Sequence, residues 1–455
     1  MMKAAHYRQL LFYGLPGLPL AMLGLPLYVY LPSFYAQEWH LSLTVIGVAL
    51  LAARGFDVIT DPLIGWANDK VNSRIGRRKF FILLGTPLLL VGLDYLLRPV
   101  GNVDGLYLFT WSMVTYLGWT LISIPWQAWG SEMTHDYHGK SALSASREVF
   151  AILGTVVVIS LPFLIGAMDN IALTLDTLAK LLWVLLPLSL FPALVWLVER
   201  RQVRRFAPLR KVGSILSAHP AIRQLLPAYF INSLANALPA TLFILFVTHV
   251  LHAPEQVGTV LMVYFLSGIV GLPLWLWLAR RIDKSRAWVL ALVLSVAAFA
   301  WVPFLGAGDV YGFLAICVVS GLALGADVAL PASMQADIAQ QMEHQGNPQT
   351  GLLFGLWGLL TKLALALAVG IAFPLLDWAG FAQDAALQSD TTLLTMALLY
   401  AGLPVLLKSW VIWRMWRFPF SEVDFRDYWE MSYANALYSA RPSAFHNERV
   451  QQHED

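Results

Sequence analysis

The sequence predicts an all-α membrane protein whose twelve transmembrane helices form two six-helix bundles that repeat one another. Composition is the first observation behind this prediction: 58% of the 455 residues are hydrophobic and only 13% are charged. Soluble domains carry roughly 25% charged residues. A soluble chain of this length would expose too much of its apolar surface to water, because even a large folded protein leaves a sizeable part of its surface unburied. The composition therefore predicts a chain that lies largely in a lipid bilayer.

Twelve apolar segments are the second observation, because each is long enough to cross a hydrocarbon core that requires about 20 residues. Pro16, Pro19 and Pro26 predict breaks in the first segment, and Pro239 predicts a bend or break in the seventh. Such breaks are tolerated where neighbouring groups satisfy the freed backbone. The predicted spans are residues 10–35, 41–68, 80–98, 106–133, 143–168, 174–198, 222–250, 255–280, 287–306, 309–337, 350–376 and 391–413.

Loop charge alternates along the chain and predicts how these spans are oriented. Loops rich in Lys and Arg face the cytoplasm, which places both termini of this multi-pass protein on the cytoplasmic side of the cell (inner) membrane. Residues 1–198 then form an N-terminal bundle, 199–220 a basic cytoplasmic linker, 221–414 a C-terminal bundle and 415–455 a cytoplasmic tail. The basic residues behind this prediction include Lys70, Arg74, Arg77, Arg78, Lys79, Arg200, Arg201, Arg204, Arg205, Arg280, Arg281, Lys284, Arg286, Arg414 and Arg417.

An internal repeat is the third observation. A Pro62-Leu-Ile-Gly-Trp66 segment precedes a basic loop in the second span, and Pro273-Leu-Trp-Leu-Trp277 does the same in the eighth. Ile124-Pro125 in the fourth span is matched by Leu330-Pro331 in the tenth. Both pairs are separated by a little over 200 residues, which indicates a duplicated six-helix unit. Two such halves with a substrate site between them are a common plan among transporters.

Several function classes are disfavoured by what the sequence contains. The formal net charge of +2 gives no reason to expect a nucleic-acid partner, and the single cysteine, Cys317, cannot form a disulfide within the chain. HExxH and GxSxG motifs are missing, and no Cys/His ligands cluster, so we expect neither an enzyme nor a cofactor. The expected partners are a small-molecule substrate, a coupling cation and the lipid bilayer, with the protein acting as a monomer.

Ionisable side chains inside a span are energetically expensive and mark candidate functional sites. In the second span Asp57 and Asp61 lie four residues apart on one helix face, with Arg54 one turn earlier and Thr60 between them. Two carboxylates this close in a low dielectric cannot both remain ionised without a counter-cation. Either one holds a proton, or a hard cation such as Na⁺ lies between them with the Thr60 hydroxyl nearby. The alternative is a structural Arg54–Asp57 ion pair, with Asp61 as an interfacial cap.

Two basic residues within the spans are further candidates. Lys362 lies about a dozen residues into the eleventh apolar segment, which favours an amine that faces inward, although it could instead extend to the surface. Arg147 lies near the start of the fifth span beside Glu148. Both a substrate contact and a local ion pair with Glu148 remain open for it.

Polar side chains also follow the fourth and seventh spans. Aromatic and amide groups that converge in a cleft suit a sugar or polyol ring, but they also hold helices together. Asp327 and Asp337 in the tenth span, and Asp94 with Arg98 in the third, are interpreted as structural or gating pairs. The candidate cleft residues are Trp119, Thr120, Ser123, Trp126 and Gln127 in the fourth span, and Asn232, Ser233 and Asn236 in the seventh.

The second span and the loop after it resemble a known family. The pattern Arg54-x-x-Asp57-x-x-x-Asp61-Pro62-x-x-Gly65-Trp66, followed by Ser73-Arg74-x-Gly76-Arg77-Arg78-Lys79, is similar to that of the glycoside–pentoside–hexuronide:cation symporters, which include the melibiose permeases. Gly65-x-x-x-Asp69 with Arg77 and Arg78 is similar to the gating loop of the whole major facilitator superfamily. The resemblance covers most of the chain and is clearest in the N-terminal half.

The resemblance implies a cation site formed by Asp57, Asp61, Thr60 and Thr120, a substrate contact at Arg147, and Lys362 beside the site. Two departures concern the cargo. Family members that bind galactosides have acidic residues where this chain has Ala21 and Ser123. The coupling machinery is thus retained, while the carboxylates that grip sugar hydroxyls are absent.

These observations predict a secondary transporter that works by alternating access. The main expectation is symport of an organic solute, a sugar or glycoside, with Na⁺ or H⁺ as the coupling ion. The alternative is a lipid, lysolipid or other amphiphile, because the first span is apolar where a sugar-binding carboxylate would lie. The predicted substrate-binding residues are Arg147, Lys362, Ser123, Trp126, Gln127, Asn232 and Asn236.

Overall fold

The computed structural model describes residues 2–24, 26–71, 73–134, 136–167, 170–199, 219–344, 350–381 and 388–419. Every regular element in these ranges is helical. Nine of the described helices are long and apolar enough to cross a membrane. The first span falls outside that group because it is broken, the second because it carries Arg54, Asp57 and Asp61, and the fourth because it is rich in Trp and hydroxyl side chains.

The helices follow the predicted spans closely. The first span consists of the helices Met2–Gly14, Gly17–Ala21 and Leu31–Gln37 with a π-helical turn at Pro26–Tyr30. The second to sixth spans are Leu43–Lys70, Arg77–Leu97, Gly105–Met133, Tyr137–Leu164 and Ile171–Trp196. The seventh to eleventh are Pro220–His249, Val257–Ile282, Lys284–Phe299, Val310–His344 and Thr350–Trp378, and the twelfth joins Asp390–Ala397 to Leu403–Met415 through a π-helical turn.

The structure differs from the predicted spans at three points. The first span is broken near its prolines, as predicted, but the seventh runs without interruption through Pro239. The tenth helix continues to His344, because its last turns are polar and hydropathy alone ended the predicted span early. The π-helical turn Leu398–Gly402 in the twelfth span carries no proline and was not predicted.

Each bundle has its own apolar core. One cluster of buried residues runs from Tyr13 to Leu197 and holds the first six spans together. The last six spans enclose two further clusters, one around Trp288 and one around Phe246. Large apolar side chains such as Leu188 and Trp413 remain exposed on the outside of the bundles, where lipid would cover them.

The two bundles meet mainly on the side that carries the basic loops at residues 70–79 and 280–286, which we call the basic face. There the Ser141 and Ser333 hydroxyls lie 3.0 Å apart, and the Lys140 ammonium lies 3.1 Å from the Asp337 carboxylate. Each pair joins the fifth span to the tenth. The structure is therefore closed between the bundles at the basic face.

Matching ion pairs in the two halves agree with an internal repeat. Arg78 of the third span pairs with Glu132 at the end of the fourth, at 2.6 Å. Lys284 of the ninth span pairs with Asp337 of the tenth, also at 2.6 Å. Arg78 and Lys284 are 206 residues apart, and Glu132 and Asp337 are 205 apart. The predicted domain boundaries stay a prediction, since linker residues 200–218 and tail residues 420–455 lie outside the described ranges.

Candidate functional site

The two intramembrane carboxylates of the second span meet a lysine from the opposite bundle. The Lys362 ammonium of the eleventh span lies 2.5 Å from Asp57 Oδ2 and 2.8 Å from Asp61 Oδ2. Asp57 is buried, and Asp61 is only 1% exposed. Lys362 therefore faces inward and bridges both carboxylates. The Arg54 guanidinium lies over the ring of Tyr116, 5.8 Å from its centroid.

Thr120 of the fourth span contacts both carboxylates of this group. Its Oγ1 lies 3.0 Å from Asp57 Oδ1 and 2.9 Å from Asp61 Oδ1. A hydroxyl has one proton and can donate it to only one of these oxygens at a time. Asp61 Oδ1 also accepts a hydrogen bond from the Lys362 ammonium, at 2.9 Å, whereas Thr120 is the side-chain donor near Asp57 Oδ1. Carboxylate and hydroxyl oxygens gathered in this way are the ligands that a small hard cation prefers. The Thr60 hydroxyl instead donates to the Asp57 main-chain carbonyl, at 3.1 Å.

Glycines allow the second and eleventh spans to come this close. A methyl group on Gly358 would lie 3.0 Å from Asp61 Oδ2, and one on Gly355 would lie 2.6 Å from the Asp61 carbonyl oxygen. Further along, a methyl group on Gly65 would lie 2.3 Å from the Gly351 carbonyl oxygen. The close backbone contact brings the Lys362 side chain, one turn beyond Gly358, to the carboxylates.

The predicted gating residues form a second buried group at the basic face. Asp69 accepts hydrogen bonds from the backbone N–H groups of Gly351 and Leu352, at 2.9 and 3.1 Å, and so caps the first turn of the eleventh span. Arg78, fully buried, donates to Asp69 at 2.9 Å and to Glu132 at 2.6 Å. An N-terminal-bundle carboxylate thus holds the end of a C-terminal-bundle helix, which fixes the closed arrangement of this face.

Arg77 and the start of the third span extend this network. Arg77 donates to Glu132 at 2.8 Å. Glu199, just beyond the sixth span, accepts from the backbone N–H groups of Arg78 and Lys79, at 3.0 and 3.3 Å. These contacts lie within the N-terminal bundle, so they position Arg78 for its contact with Asp69.

Arg147 is buried in the fifth span. It donates to Glu148 at 2.6 and 3.0 Å, which is the local ion pair left open by the sequence. A small cavity beside it is lined by Tyr13 and Gln127. Across the interface, Tyr229 stacks on Trp357 with ring centroids 3.4 Å apart. Arg147 and Glu148 both interact electrostatically with Tyr229, so this aromatic pair of the other bundle lies near them.

The Tyr229–Trp357 pair lies next to Lys362 on the C-terminal side. The Tyr229 hydroxyl lies 2.7 Å from Thr361 Oγ1, and Thr361 precedes Lys362 in the eleventh span. Aromatic faces, a guanidinium, a carboxylate and an ammonium are thus collected around the middle of the interface between the bundles. Such a set can bind a ligand that carries both charged and apolar groups.

The other predicted substrate residues lie in two different places. Trp126 is buried in the N-terminal core, where its Nε1 donates to the Tyr13 carbonyl at 3.1 Å. Ser123, three residues before Trp126, and Gln127, directly after it, are half-buried. Their contact with a substrate stays a prediction, although Trp126 already uses its polar atom within its own bundle.

Asn232 and Asn236 belong to a separate polar cluster inside the C-terminal bundle. Their amides donate to Asp327 at 2.7 and 2.8 Å, and Lys408 reaches the same carboxylate at 3.1 Å. Trp288 Nε1 adds a fourth donor at 2.8 Å. The structure thus gives Asp327 the structural pairing that was expected and joins the two asparagines to it, away from Asp57 and Asp61.

Sequence reasoning missed several of these partners. We did not single out Glu132, Glu199, Trp288 or Lys408. Of these, Lys408 had a signal in the sequence, because it is a lysine inside an apolar stretch, like Lys362. The glutamates lie at the ends of spans, where acidic residues are ordinary. Only the folded arrangement shows that Glu132 lies opposite the buried Arg78 and that Glu199 lies beside Arg77.

Comparison with known proteins decides the family. The model of a family described as MFS/sugar transport protein matches residues 12–422. The chain belongs to this family. It is therefore a membrane transporter of the major facilitator superfamily, and the predicted twelve-helix fold of two bundles is confirmed.

Curated relatives of this family member include transporters of lipids. The chain is 24% identical to the sodium-dependent lysophosphatidylcholine symporter 1 of Xenopus tropicalis over 87% of this chain and 84% of the relative. It is 23% identical to the sphingosine-1-phosphate transporter of Mus musculus, over 86% and 85% of the two chains. An uncharacterised symporter of Bacillus subtilis is 25% identical, over 83% and 84%. These relatives favour the amphiphile alternative over the sugar that the sequence led us to expect first.

Solved structures share the fold. A bacterial homologue of the iron transporter ferroportin in an outward-facing state superposes with a TM-score of 0.67 at 15% identity, over 90% of this chain and 99% of the other. The Escherichia coli fucose:proton symporter superposes with a TM-score of 0.63 at 13% identity, over 90% and 98%. At these identities the likeness shows the superfamily fold alone, and the melibiose-permease resemblance stays a prediction.

Proposed function

We propose that this protein is a Na⁺-coupled symporter of a single-chain phosphate-bearing amphiphile of the lysophospholipid type. The observation that carries the proposal is the group of Asp57, Asp61, Thr120 and Lys362 between the bundles. It combines a cation site with a contact across the interface that must open and close during transport. Similarity to sodium-dependent lysophosphatidylcholine symporters supports both the proposed ion and the proposed cargo.

A count of charges in this group supports the binding of one monovalent cation. Asp57 and Asp61 contribute two negative charges and Lys362 one positive charge, which leaves a net charge of −1 on a group whose two carboxylates are buried. An uncompensated charge in a low dielectric is costly. One Na⁺ among the Oδ1 oxygens and Thr120 Oγ1 would bring the total to zero. Movement of one charge inward is then favoured by about 2.3 kcal/mol per 100 mV of membrane potential.

The charged groups around the cleft support a phosphate-bearing cargo. Arg147 and Lys362 bring two cations to the interface from opposite bundles, each already paired with a carboxylate. Phosphate is a preferred partner of Arg in a bidentate contact, so it could replace Glu148 at Arg147. Where galactoside-binding members of the resembling family have carboxylates, this chain has Ala21 and Ser123. A sugar would leave many hydroxyls without partners beside such residues, whereas an acyl chain would not.

The arrangement of the bundles supports alternating access. If the basic face is cytoplasmic, as the positive-inside rule predicts, the closed contacts around Asp69 and Lys140 place the protein in an outward-facing state. Transport would then require Arg78 and Asp69 to release the end of the eleventh span. Cation binding at Asp57 and Asp61 changes the attraction between the second and eleventh spans, which links the ion to this movement.

A binding panel on the purified full-length protein tests the proposal. Thermal stability would be measured in Na⁺ and in K⁺ buffer with lysophosphatidylcholine, lysophosphatidic acid, melibiose and a methyl glycoside. The proposal predicts that a lysophospholipid raises the melting temperature in Na⁺ and has a smaller effect in K⁺. A shift produced by a glycoside and by no lysophospholipid would restore the sugar interpretation.

A further inference from the structure

A cavity inside the C-terminal bundle has no role in the site described above. Its volume is about 280 Å³, and it is enclosed by the seventh, eighth, ninth, tenth and twelfth spans. One wall residue, Thr155, belongs to the fifth span of the other bundle, so the cavity reaches the interface between the bundles. On the seventh span Asn236, Ala240 and Ile244 face it in succession, and Ile244 is 49% exposed. The cavity therefore borders the interface between the bundles at Thr155.

The walls of the cavity are mainly apolar and aromatic. Phe243 and Phe313 stack with ring centroids 6.3 Å apart, and Tyr400 contacts Phe299 at 6.1 Å and Phe313 at 6.2 Å. Interlocked rings of this kind resist collapse into the space. Apolar cavities of about 150 Å³ stay dry and bind apolar guests, because the wall atoms otherwise lack dispersion partners.

One end of the cavity is polar but already satisfied. Asn236, Asp327 and Lys408 line this end. Asp327 receives the four donors described above, and Lys408 also donates to the Asn232 side-chain oxygen at 3.1 Å. The ion pair is neutral as a unit, so it gives little reason to recruit a charged ligand. A sugar ring would need more free donors and acceptors than these walls supply.

The cavity lies within reach of the proposed head-group contacts. Thr155 follows Arg147 by eight residues in the same helix, a distance of about 12 Å at 1.5 Å per residue. Tyr229 and Asn236 are likewise two turns apart on the seventh span. A ligand whose charged end lies at Arg147 and Lys362 can therefore extend an apolar chain into the cavity mouth.

We infer that this cavity is a binding site for the hydrocarbon chain of the transported amphiphile. The inference rests on the proposed function, since it assigns a binding site to the hydrocarbon part of the proposed ligand. It predicts that the length of the chain, and not only the head group, determines affinity. The aromatic wall of Phe243, Phe299, Phe313 and Tyr400 would set the limit on that length.

The only cysteine of the chain provides a direct test, because Cys317 lines this cavity and is 5% exposed. The rate of its modification by N-ethylmaleimide would be followed by intact mass on the full-length protein in lipid nanodiscs with Na⁺. Palmitoyl lysophosphatidylcholine at ten times its dissociation constant should slow the modification about tenfold by simple occupancy. Glycerophosphocholine, which has the same head group and no chain, should leave the rate unchanged.

Either of two results would overturn the inference. One is a modification rate that the lysolipid does not change. The other is no modification of Cys317 under any condition, because the cavity would then be closed to the cleft. Binding of the lysolipid is measured in the same nanodiscs. Binding without protection of Cys317 contradicts the cavity assignment alone, whereas absence of binding contradicts the proposed function.

A cavity-filling variant gives an independent measurement. Ala240→Trp should weaken binding of a long-chain lysolipid by about tenfold or more, while an octanoyl lysolipid keeps its affinity. Val270→Trp is the matched control, because Val270 is 69% exposed on the eighth span and is absent from the cavity wall. Equal effects of Ala240→Trp on long and short chains would also contradict the inference.

Discussion

The Lys362 ammonium lies 2.5 Å from the Asp57 carboxylate, and this contact joins the two bundles at the buried site that binds a cation in our proposal. The second and eleventh spans approach each other on the basic-face side of this contact, through Gly65, Gly351, Gly355 and Gly358. A change in the charge of the site therefore alters the attraction between the bundles. This gives a physical route from ion binding to the conformational change of transport.

Replacement of either site carboxylate should remove the effect of Na⁺. Na⁺ at a hundred times its dissociation constant stabilises the native protein by about 2.7 kcal/mol. Asp57→Asn and Asp61→Asn bring the net charge of the group to zero without an ion, so we expect this stabilisation to disappear. The measurement is thermal unfolding across a Na⁺ titration.

Asp94→Asn is the control for this pair of variants. Asp94 forms an exposed ion pair with Arg98 at 3.0 Å at the other end of the third span, and its loss should leave the Na⁺ response intact. A Na⁺ response that survives in both Asp57→Asn and Asp61→Asn would show that the ion binds elsewhere.

Replacement of Lys362 should separate ion binding from transport. Lys362→Met leaves both Asp57 and Asp61 without their cation, so the net charge of the group falls to −2 and its attraction for Na⁺ rises. We expect the Na⁺ concentration that gives half-maximal stabilisation to decrease, while uptake is lost because the contact between the bundles is missing. Weaker Na⁺ binding in Lys362→Met would indicate that the lysine instead positions the carboxylates.

The glycine contact at the basic face should control which face is open. Valine at Gly65 would place side-chain atoms against the Gly351 carbonyl oxygen, where even a methyl group would lie at 2.3 Å. Overpacking of this kind costs about 1–3 kcal/mol, and here the strain falls on the closed state alone. We therefore expect Gly65→Val to shift the population toward opening at the basic face, as measured by spin-label distances across the fifth and tenth spans.

Gly55→Val is the matched control in the same helix, because a methyl group on Gly55 would meet no atom within 4 Å. It should leave the distance distribution unchanged. If Gly65→Val and Gly55→Val give the same distribution, the Gly65–Gly351 contact does not govern closure.

Loss of Arg147 should affect ligands that carry a phosphate. Hydrogen bonds to charged groups contribute about 1.5–3 kcal/mol, so Arg147→Ala should weaken lysophosphatidylcholine binding by at least about tenfold. Binding of a monoacylglycerol of the same chain length should change little. Arg98→Ala, which removes an exposed arginine paired with Asp94 and Asp176, serves as the control. Equal losses for both ligands would contradict a phosphate contact at Arg147.

Much of this fold follows from local properties of the sequence. Hydropathy located every span, because lipid exposure and helix formation depend on the residues of each segment. One end of the first, fifth, ninth and tenth spans nevertheless differs from the prediction by six to eight residues. The spacing of Asp57 and Asp61 similarly placed both carboxylates on one face. Interpretation of Lys362 as inward-facing is confirmed by its contact with both of them.

The partners across helices could not be found in the same way. Asp69 caps the helix that begins at Thr350, and Asp327 pairs with Lys408, but nothing in either local segment specifies the other. Asn232 and Asn236 are an example. The sequence correctly predicted that they share one polar face of the seventh span, but in the structure this face contacts Asp327. The substrate could not be predicted in this way either. Ala21 and Ser123 show that the sugar-binding carboxylates are absent, but they do not indicate which ligand is bound instead.

Uptake of lysophosphatidylcholine into proteoliposomes, driven by an inward Na⁺ gradient, is the direct measurement of Na⁺-coupled lysolipid transport by this protein. The native protein should accumulate the lysolipid with Na⁺ outside, and should do so far less with K⁺ outside. The Asp57→Asn variant, reconstituted to the same density and orientation, should lose this Na⁺ dependence. Native uptake that is indifferent to Na⁺, or an Asp57→Asn variant that remains fully Na⁺-driven, would contradict the account.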